Sequence, residues 1–295
     1  MIQWYPGHMK KARDEITEAI RRMDVIIELL DARLPRSSSN PVLDELRQNK
    51  PCIRLLTKKD LADPLITEKW IGDIKKEPSV TAIDVETHDT ILGKILPNLC
   101  RKIIGRPLKR PVRAMIVGIS NVGKSTLINT LVGRRLAKVG DQPAITRHQQ
   151  TVQIVPGPDG LDISDTPGIL WPNLENKNGA YRLALSGAIR DTAMDYRDVA
   201  LFAGNYLLGN YSDALVQRYK LNRLPETASL LIEAIGRRRG CLIKGGLVDT
   251  HKAAELFIHD FRTGKIGRIS LESPLEDDEA DISDQNAENI EPELL

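Results

Sequence analysis

Six short apolar runs punctuate the first 165 residues of the chain: VIIELL (25–30), CIRLL (52–56), VTAI (80–83), RAMIVG (113–118), TVQIV (151–155) and LDIS (161–164). They are continuous rather than alternating, and helical or polar stretches separate them. That pattern predicts an α/β domain with a mostly parallel sheet covered on both faces. Ahead of the first run, Ala12, Ile16, Ala19, Ile20 and Met23 recur at helical spacing among charged residues, which predicts one amphipathic helix over Lys10–Met23. After PGILWPNLENKNG the strand signal stops. Helical segments are predicted over Tyr181–Met194, Asp198–Leu208, Asp213–Lys220, Glu226–Gly236 and Thr250–Thr263. The organisation expected is an α/β domain over 1–175, a small all-helical domain over 176–271 and a tail over 272–295, with no internal repeat.

Composition narrows this picture little, but charge changes it. Of 295 residues, 41% are hydrophobic and 28% charged, ordinary for a globular protein, and no apolar run approaches the ~18 residues a bilayer span needs. The net charge of +2 hides an asymmetry. Residues 272–295 hold ten acidic residues and no Lys or Arg, leaving 42 basic against 30 acidic residues, a net +12, on 1–271. The tail is expected to be disordered, and the basic body suits a polyanionic partner. Cys52, Cys100 and Cys241 are odd in number, far apart and without metal-ligand spacing, so reduced thiols in a cytosol are expected. The chain opens on MIQWYPGHMKK, which is no signal peptide, and export is not expected.

The chemistry begins at MIVGISNVGKSTLINTL. Gly118, Gly123, Lys124 and Ser125 form G-x-x-x-x-G-K-[ST] directly after a strand and opening a helix, the context that confirms a phosphate-binding loop. Its glycines let consecutive N–H groups curl around phosphate oxygens, so Ser120, Asn121, Val122, Gly123, Lys124, Ser125 and Thr126 are the expected phosphate-binding stretch. Lys124 should reach the outer phosphates, and Ser125 should ligate Mg2+. Downstream, LDISDTPGIL puts Asp165 at a strand end, suited to the magnesium shell, and Gly168 in the turn after it, suited to sensing the terminal phosphate. Between them, Thr146 in GDQPAITRHQ is the candidate for a loop that closes on magnesium and the terminal phosphate.

Nothing like N-K-x-D follows residue 168, yet TKKD stands after the run 52–56, ahead of the phosphate loop, and TAIDVE lies at 81–86. A site built from loops at one edge of a sheet does not depend on chain order. A circularly permuted GTPase would place the Asp60 carboxylate on guanine N1–H and N2–H, the Lys58 stem along the purine face, and the backbone of Ile83 and Asp84 near the base carbonyl. Taken alone, TKKD reads more readily as a lysine-rich surface turn after a strand; the phosphate loop and D-x-x-G reverse that balance.

These residues resemble the YlqF/RbgA family of circularly permuted GTPases. The resemblance runs through WYPGHMKKAR, DARLPRSSSNP, TKKDLAD, GISNVGKSTLIN, GDQPAITR, DTPGILWP, GAIRD, AIGRRRGCLIKGG and FRTGKIGRIS, and covers about 1–271. It implies a permuted Ras-like P-loop domain followed by a small helical, RNA-binding domain. It implies GTP/GDP as ligand, and a slow GTPase that docks on a precursor of the large ribosomal subunit, its rRNA and proteins, and is stimulated there. Membrane and DNA partners are not expected, and the chain would be a cytoplasmic monomer off the ribosome. Ile169 stands where Ras-like enzymes keep a water-orienting Gln, and the resemblance gives that task to His8. It further links Asn121 to a K+ ion near the transferring phosphate. Arg237, Arg238, Arg239 and Lys244 are the candidate RNA contacts. Thr57 departs from the family's Asn, and the shorter hydroxyl is expected to weaken guanine binding or loosen the phosphate loop. Asp84 replaces a common Asn, Ala144 a glycine and Ser120 a proline. Two other classes stay open: a P-loop ATPase or kinase, and a nucleotide-gated protein-binding switch with no RNA role.

Overall fold

The computed structural model describes residues 14, 16–133, 151–155, 160–165 and 176–274. All six apolar runs are strands: β1 Val25–Asp31, β2 Cys52–Thr57, β3 Val80–Asp84, β4 Val112–Gly118, β5 Thr151–Val155 and β6 Leu161–Asp165. They form one sheet in the order β3-β2-β1-β4-β6-β5, parallel throughout except for the antiparallel β5–β6 pair. The strand order reverses direction between β1 and β4. In open α/β sheets such a point leaves a crevice at the carboxyl ends of the strands.

The helices around the sheet are α1 at 16–21, α2 Pro35–Ser38, α3 Pro41–Arg47, α4 Pro64–Ile74, α5 Leu92–Ile104 and α6 Lys124–Val132. Both faces of β1 and β2 are buried, and this is why those runs are apolar without alternation. Ile26, Leu30, Cys52 and Leu56 pack with Ile16, Ile20, Leu43, Trp70 and Ile74 on one side. Val25, Ile27, Leu29, Ile53 and Leu55 pack with Leu92, Leu96, Leu127 and Ile128 on the other. One ion pair sits inside the sheet: Glu28 and Arg54 face each other in register on β1 and β2, Arg54 Nε donating to Glu28 at 2.9 Å and Nη2 to Asp44 at 2.9 Å.

The elements that follow are helices: α7 Lys177–Ser186, α8 Tyr196–Asn210, α9 Ser212–Tyr219, α10 Ala228–Arg239 and α11 Thr250–Arg262, with a 3-10 turn at Asp191–Ala193 and one isolated bridge between Leu242 and Val248. The predicted helix Tyr181–Met194 is instead cut at Gly187, whose φ of 84° terminates α7, while Asn176 caps its start. The core on the second face of the sheet continues without a break into Leu183, Leu207, Leu231, Ile235, Phe257 and Phe261 of these helices.

After α11 the chain turns back onto the sheet domain. Glu272 and Ser273, read from sequence as the start of an acidic tail, are buried. The Glu272 carboxylate accepts from Arg36 N at 2.8 Å and Ser37 N at 3.1 Å and lies 3.6 Å from Arg182 Nη1, while its carbonyl accepts from Trp70 Nε1 at 3.1 Å. A carboxylate so partnered belongs to the folded body. Among the described residues no helix is long and apolar enough to cross a membrane.

Candidate nucleotide-binding site

Parallel pairing brings five strand ends to one edge of the sheet. Asp31 is level with Thr57, Leu56 with Asp84, Leu29 with Gly118, and Ile116 with Asp165. The TKKD turn, the Ile83–Asp84 strand end, the phosphate loop and Asp165 therefore converge although they are scattered over more than a hundred positions.

The phosphate loop is shaped by its glycines. Gly118 has φ 147°, and a Cβ there would lie 2.7 Å from the Leu29 carbonyl oxygen; Gly123 has φ 107°, and a Cβ there would meet Thr87 Cγ2 at 2.9 Å. Asn121 holds φ 57°, a value an Asn tolerates better than most residues. Gly123 caps α6, so the helix begins at Lys124 and Ser125, with its first-turn N–H groups and positive end at the loop. The Lys124 ammonium donates to the carbonyls of Gly118, at 2.8 Å, and Ile119. Asn121 Nδ2 donates to the carbonyl of Gly187 at 2.9 Å, tying the loop to the end of α7.

Thr57, expected to touch the nucleotide, is fully buried. Its hydroxyl lies 3.0 Å from the carbonyl of Leu30 and 2.8 Å from that of Val122 in the phosphate loop. The short side chain thus reaches the phosphate loop, and both of its contacts are to main-chain carbonyls. Lys58 has φ 57° and donates to Asp31 at 2.9 Å, with a quarter of its side chain exposed. Asp60 is exposed, and its carboxylate makes no hydrogen bond or ion pair among the described residues. Asp84 lies 3.6 Å from Lys59 Nζ, and Ile83 is half-buried.

Beneath the site is a charge cluster that the sequence reading did not assign. Asp31 is buried and binds Arg33 through two bonds, Nε at 3.0 Å and Nη2 at 2.8 Å, besides Lys58. Burial pushes the Asp31 pKa up, but the Arg33 and Lys58 charges outweigh it and hold the carboxyl well below the usual range. For Lys58 burial outweighs Asp31, and its pKa is lowered. Arg33 stacks over Phe261, 5.0 Å from the ring centroid, so the cluster reaches α11. The signal in the sequence was Asp-Ala-Arg at the carboxyl end of an apolar run, where a charge must be paired.

His8, Thr146, Gly168 and Ile169 lie outside the described residues, and of Asp165 only the strand position is described. Arg237, Arg238 and Arg239 form the last turn of α10, and Lys244 lies in the following turn. Arg237 pairs with Glu233 at 2.7 Å and Arg238 donates to Asn222 at 3.0 Å, while Arg239 stacks 5.6 Å from the Tyr219 ring centroid. Basic residues there also suit the negative end of the helix.

A mostly parallel sheet whose TKKD turn precedes its phosphate loop along the chain has the order of a circularly permuted P-loop GTPase domain. Residues 113–212 match the family described as 50S ribosome-binding GTPase. Ribosome biogenesis GTPase A of Priestia megaterium is 44% identical over 285 residues, covering 93% of this chain and 98% of that one, and its namesake of Thermotoga maritima is 34% identical over 92% and 95%. Among solved structures, GNP-bound YlqF from T. maritima superposes with a TM-score of 0.64 at 29% identity, covering 90% of this chain and 99% of that one; GDP-bound TM YlqF also scores 0.64, at 28% identity and 89% and 100% coverage. The chain belongs to the ribosome biogenesis GTPase A family.

Proposed function

We propose that this chain binds GTP through the crevice between β1 and β4 and hydrolyses it to GDP and phosphate during assembly of the large ribosomal subunit. The observation that carries this reading is the Thr57 hydroxyl 2.8 Å from the Val122 carbonyl. It fixes the base-side turn to the phosphate loop, making one pocket out of segments whose order along the chain is reversed. Asp60, exposed at the end of that turn, accepts the two guanine N–H donors, and adenine offers neither. The loop N–H groups and the α6 N-terminus hold the phosphates, and Lys124 exchanges its loop carbonyls for phosphate oxygens. Ser125 and Asp165 offer the hard oxygen donors that Mg2+ takes, with Thr146 as the third in the triphosphate state; the ion would neutralise charge on the phosphates. His8 orients the attacking water. The Asn121 amide nitrogen is committed to Gly187, so its Oδ1 is the atom left for a K+ ion.

Docking rests on the basic body and on the exposed groups of Arg237, Arg238 and Lys244, which face an RNA backbone. The test is co-sedimentation with large subunits in a non-hydrolysable GTP analogue and in GDP, together with GTP turnover with and without subunits for wild type and His8→Ala. Binding only with the analogue, and stimulation lost in His8→Ala, are expected. Failure to co-sediment in either state refutes the ribosomal reading, equal stimulation of both proteins removes His8 from hydrolysis, and displacement of GTP by equimolar ATP refutes guanine selectivity.

A further inference from the structure

The chain that returns from α11 does not cross the sheet domain at random. It lies along the Lys59–Asp63 turn and bonds to the main chain of that turn at Lys59, Leu61, Ala62 and Asp63, two of which flank Asp60. Arg268 Nη2 donates to the Lys59 carbonyl at 2.7 Å and Nε to the Ala62 carbonyl at 2.9 Å. The Ile269 N–H donates to the Leu61 carbonyl at 2.8 Å. The Ser270 hydroxyl accepts from Asp63 N at 3.2 Å. A Cβ on Gly264 would lie 2.6 Å from Leu61 Cδ2, so the Leu61 side chain is seated against the turn that ends α11. The strap is itself fastened: Tyr206 Oη and Tyr211 Oη donate to the Ser270 carbonyl at 3.1 and 3.2 Å.

The residues on either side of Asp60 are thus held by groups from the far end of the chain, while the Asp60 carboxylate stays exposed without a partner among the described residues. A bidentate contact to a planar base depends on the aim of its carboxylate, and one exposed turn of the main chain does not fix that aim. We propose that the 268–270 strap is part of the guanine site and that Arg268 is a positioning residue for Asp60, setting base selectivity without touching the nucleotide. This rests on the reading of Asp60 as the guanine acceptor.

The experiment measures Kd of full-length protein for GDP and for IDP, which lacks the 2-amino donor, in wild type, Arg268→Ala, Arg268→Lys and Ser270→Ala, alongside Tm. Wild type should favour GDP by at least about fivefold, the lower end of what a bidentate base contact contributes. In Arg268→Ala that ratio should fall below about twofold, because aim is lost for the second donor while phosphate binding persists. Arg268→Lys, whose ammonium reaches one carbonyl, should restore part of the ratio; Ser270→Ala should lower it by a smaller factor. An unchanged ratio in Arg268→Ala overturns the proposal, as does a loss of GDP and IDP affinity by one common factor with a lowered Tm, which marks a purely structural role. A wild-type ratio of one overturns the reading of Asp60 itself, and is told apart by appearing before any substitution.

Discussion

Replacing Thr57 by Val removes one hydroxyl and keeps the branch. The hydroxyl carries a single hydrogen, yet two carbonyls lie within reach, Val122 at 2.8 Å and Leu30 at 3.0 Å, and the residue is fully buried. Losing a neutral hydrogen bond costs about 1 kcal/mol, and a buried carbonyl left without a donor raises this to about 3 kcal/mol. For a chain of this size each kcal/mol lowers Tm by about 2–4 °C, so a loss of several degrees is expected in the nucleotide-free protein. The share transmitted to Val122 loosens the phosphate loop, and GDP and IDP should both bind more weakly by up to about tenfold, the equivalent of 1.4 kcal/mol. Calorimetric unfolding and titration with fluorescent GDP and IDP read the two effects. Because Thr57 faces the loop and not the base, the GDP-to-IDP ratio must stay at the wild-type value. A lowered Tm with unaltered GDP affinity would reduce Thr57 to an ordinary core residue, and a changed ratio would place it on the base.

Three further outcomes follow from the same geometry. Gly118→Ala puts a Cβ 2.7 Å from the Leu29 carbonyl oxygen at φ 147°, so the loop must shift, and GDP binding should fall by more than about tenfold in an isothermal titration; retention of affinity would show that the loop tolerates the displacement. Asp31→Asn leaves Arg33 buried and Lys58 enclosed without their anion and should cost about 3–5 kcal/mol in a denaturant titration, with less than about 1 kcal/mol contradicting the cluster's role. In acid the sign is fixed by depressed carboxyls: burial raises the Asp24 pKa, but hydrogen bonds from Arg110 and the Arg113 N–H and the Arg110 charge outweigh it, and Asp31 is held down in the same way. Their folded-state pKa lies below the unfolded value near 3.9, so this stability is present above about pH 4 and is lost as pH falls; Asp24→Asn should lose stability less steeply on acidification, and parallel acid slopes for the two proteins would refute this.

The sheet was legible because burial on both faces writes itself into β1 and β2 as apolar runs without alternation, broken only by the paired Glu28 and Arg54, and the phosphate loop because positive φ and close neighbours, the Leu29 carbonyl at Gly118 and the Thr87 side chain at Gly123, demand glycine. The converging strand ends follow from parallel pairing once those runs are granted. Other features depended on contacts that no local pattern encodes. Glu272 reads as tail by composition, since an acidic stretch says nothing of the N–H groups of Arg36 and Ser37 that await one carboxylate. The break at Gly187 is invisible to helical periodicity, which continues through it; the cause is a single left-handed residue. Thr57 looked too short because reach was judged from side-chain length, whereas the Val122 carbonyl comes to meet it. Arg268 was hidden by distance, its partner Lys59 being 209 positions away.

That separation has a consequence for the order in which the protein comes into being. Synthesis runs from the amino terminus, and domains form as their residues emerge. The turn at 57–63 and the phosphate loop are made early, and the strap that fastens the turn comes only after the five helices α7–α11. A nascent chain therefore passes through a long interval in which its phosphate loop exists but its base-side turn is unfastened. Only a chain read through to residue 270 acquires the clasp, so an incomplete product should discriminate poorly between guanine and hypoxanthine nucleotides.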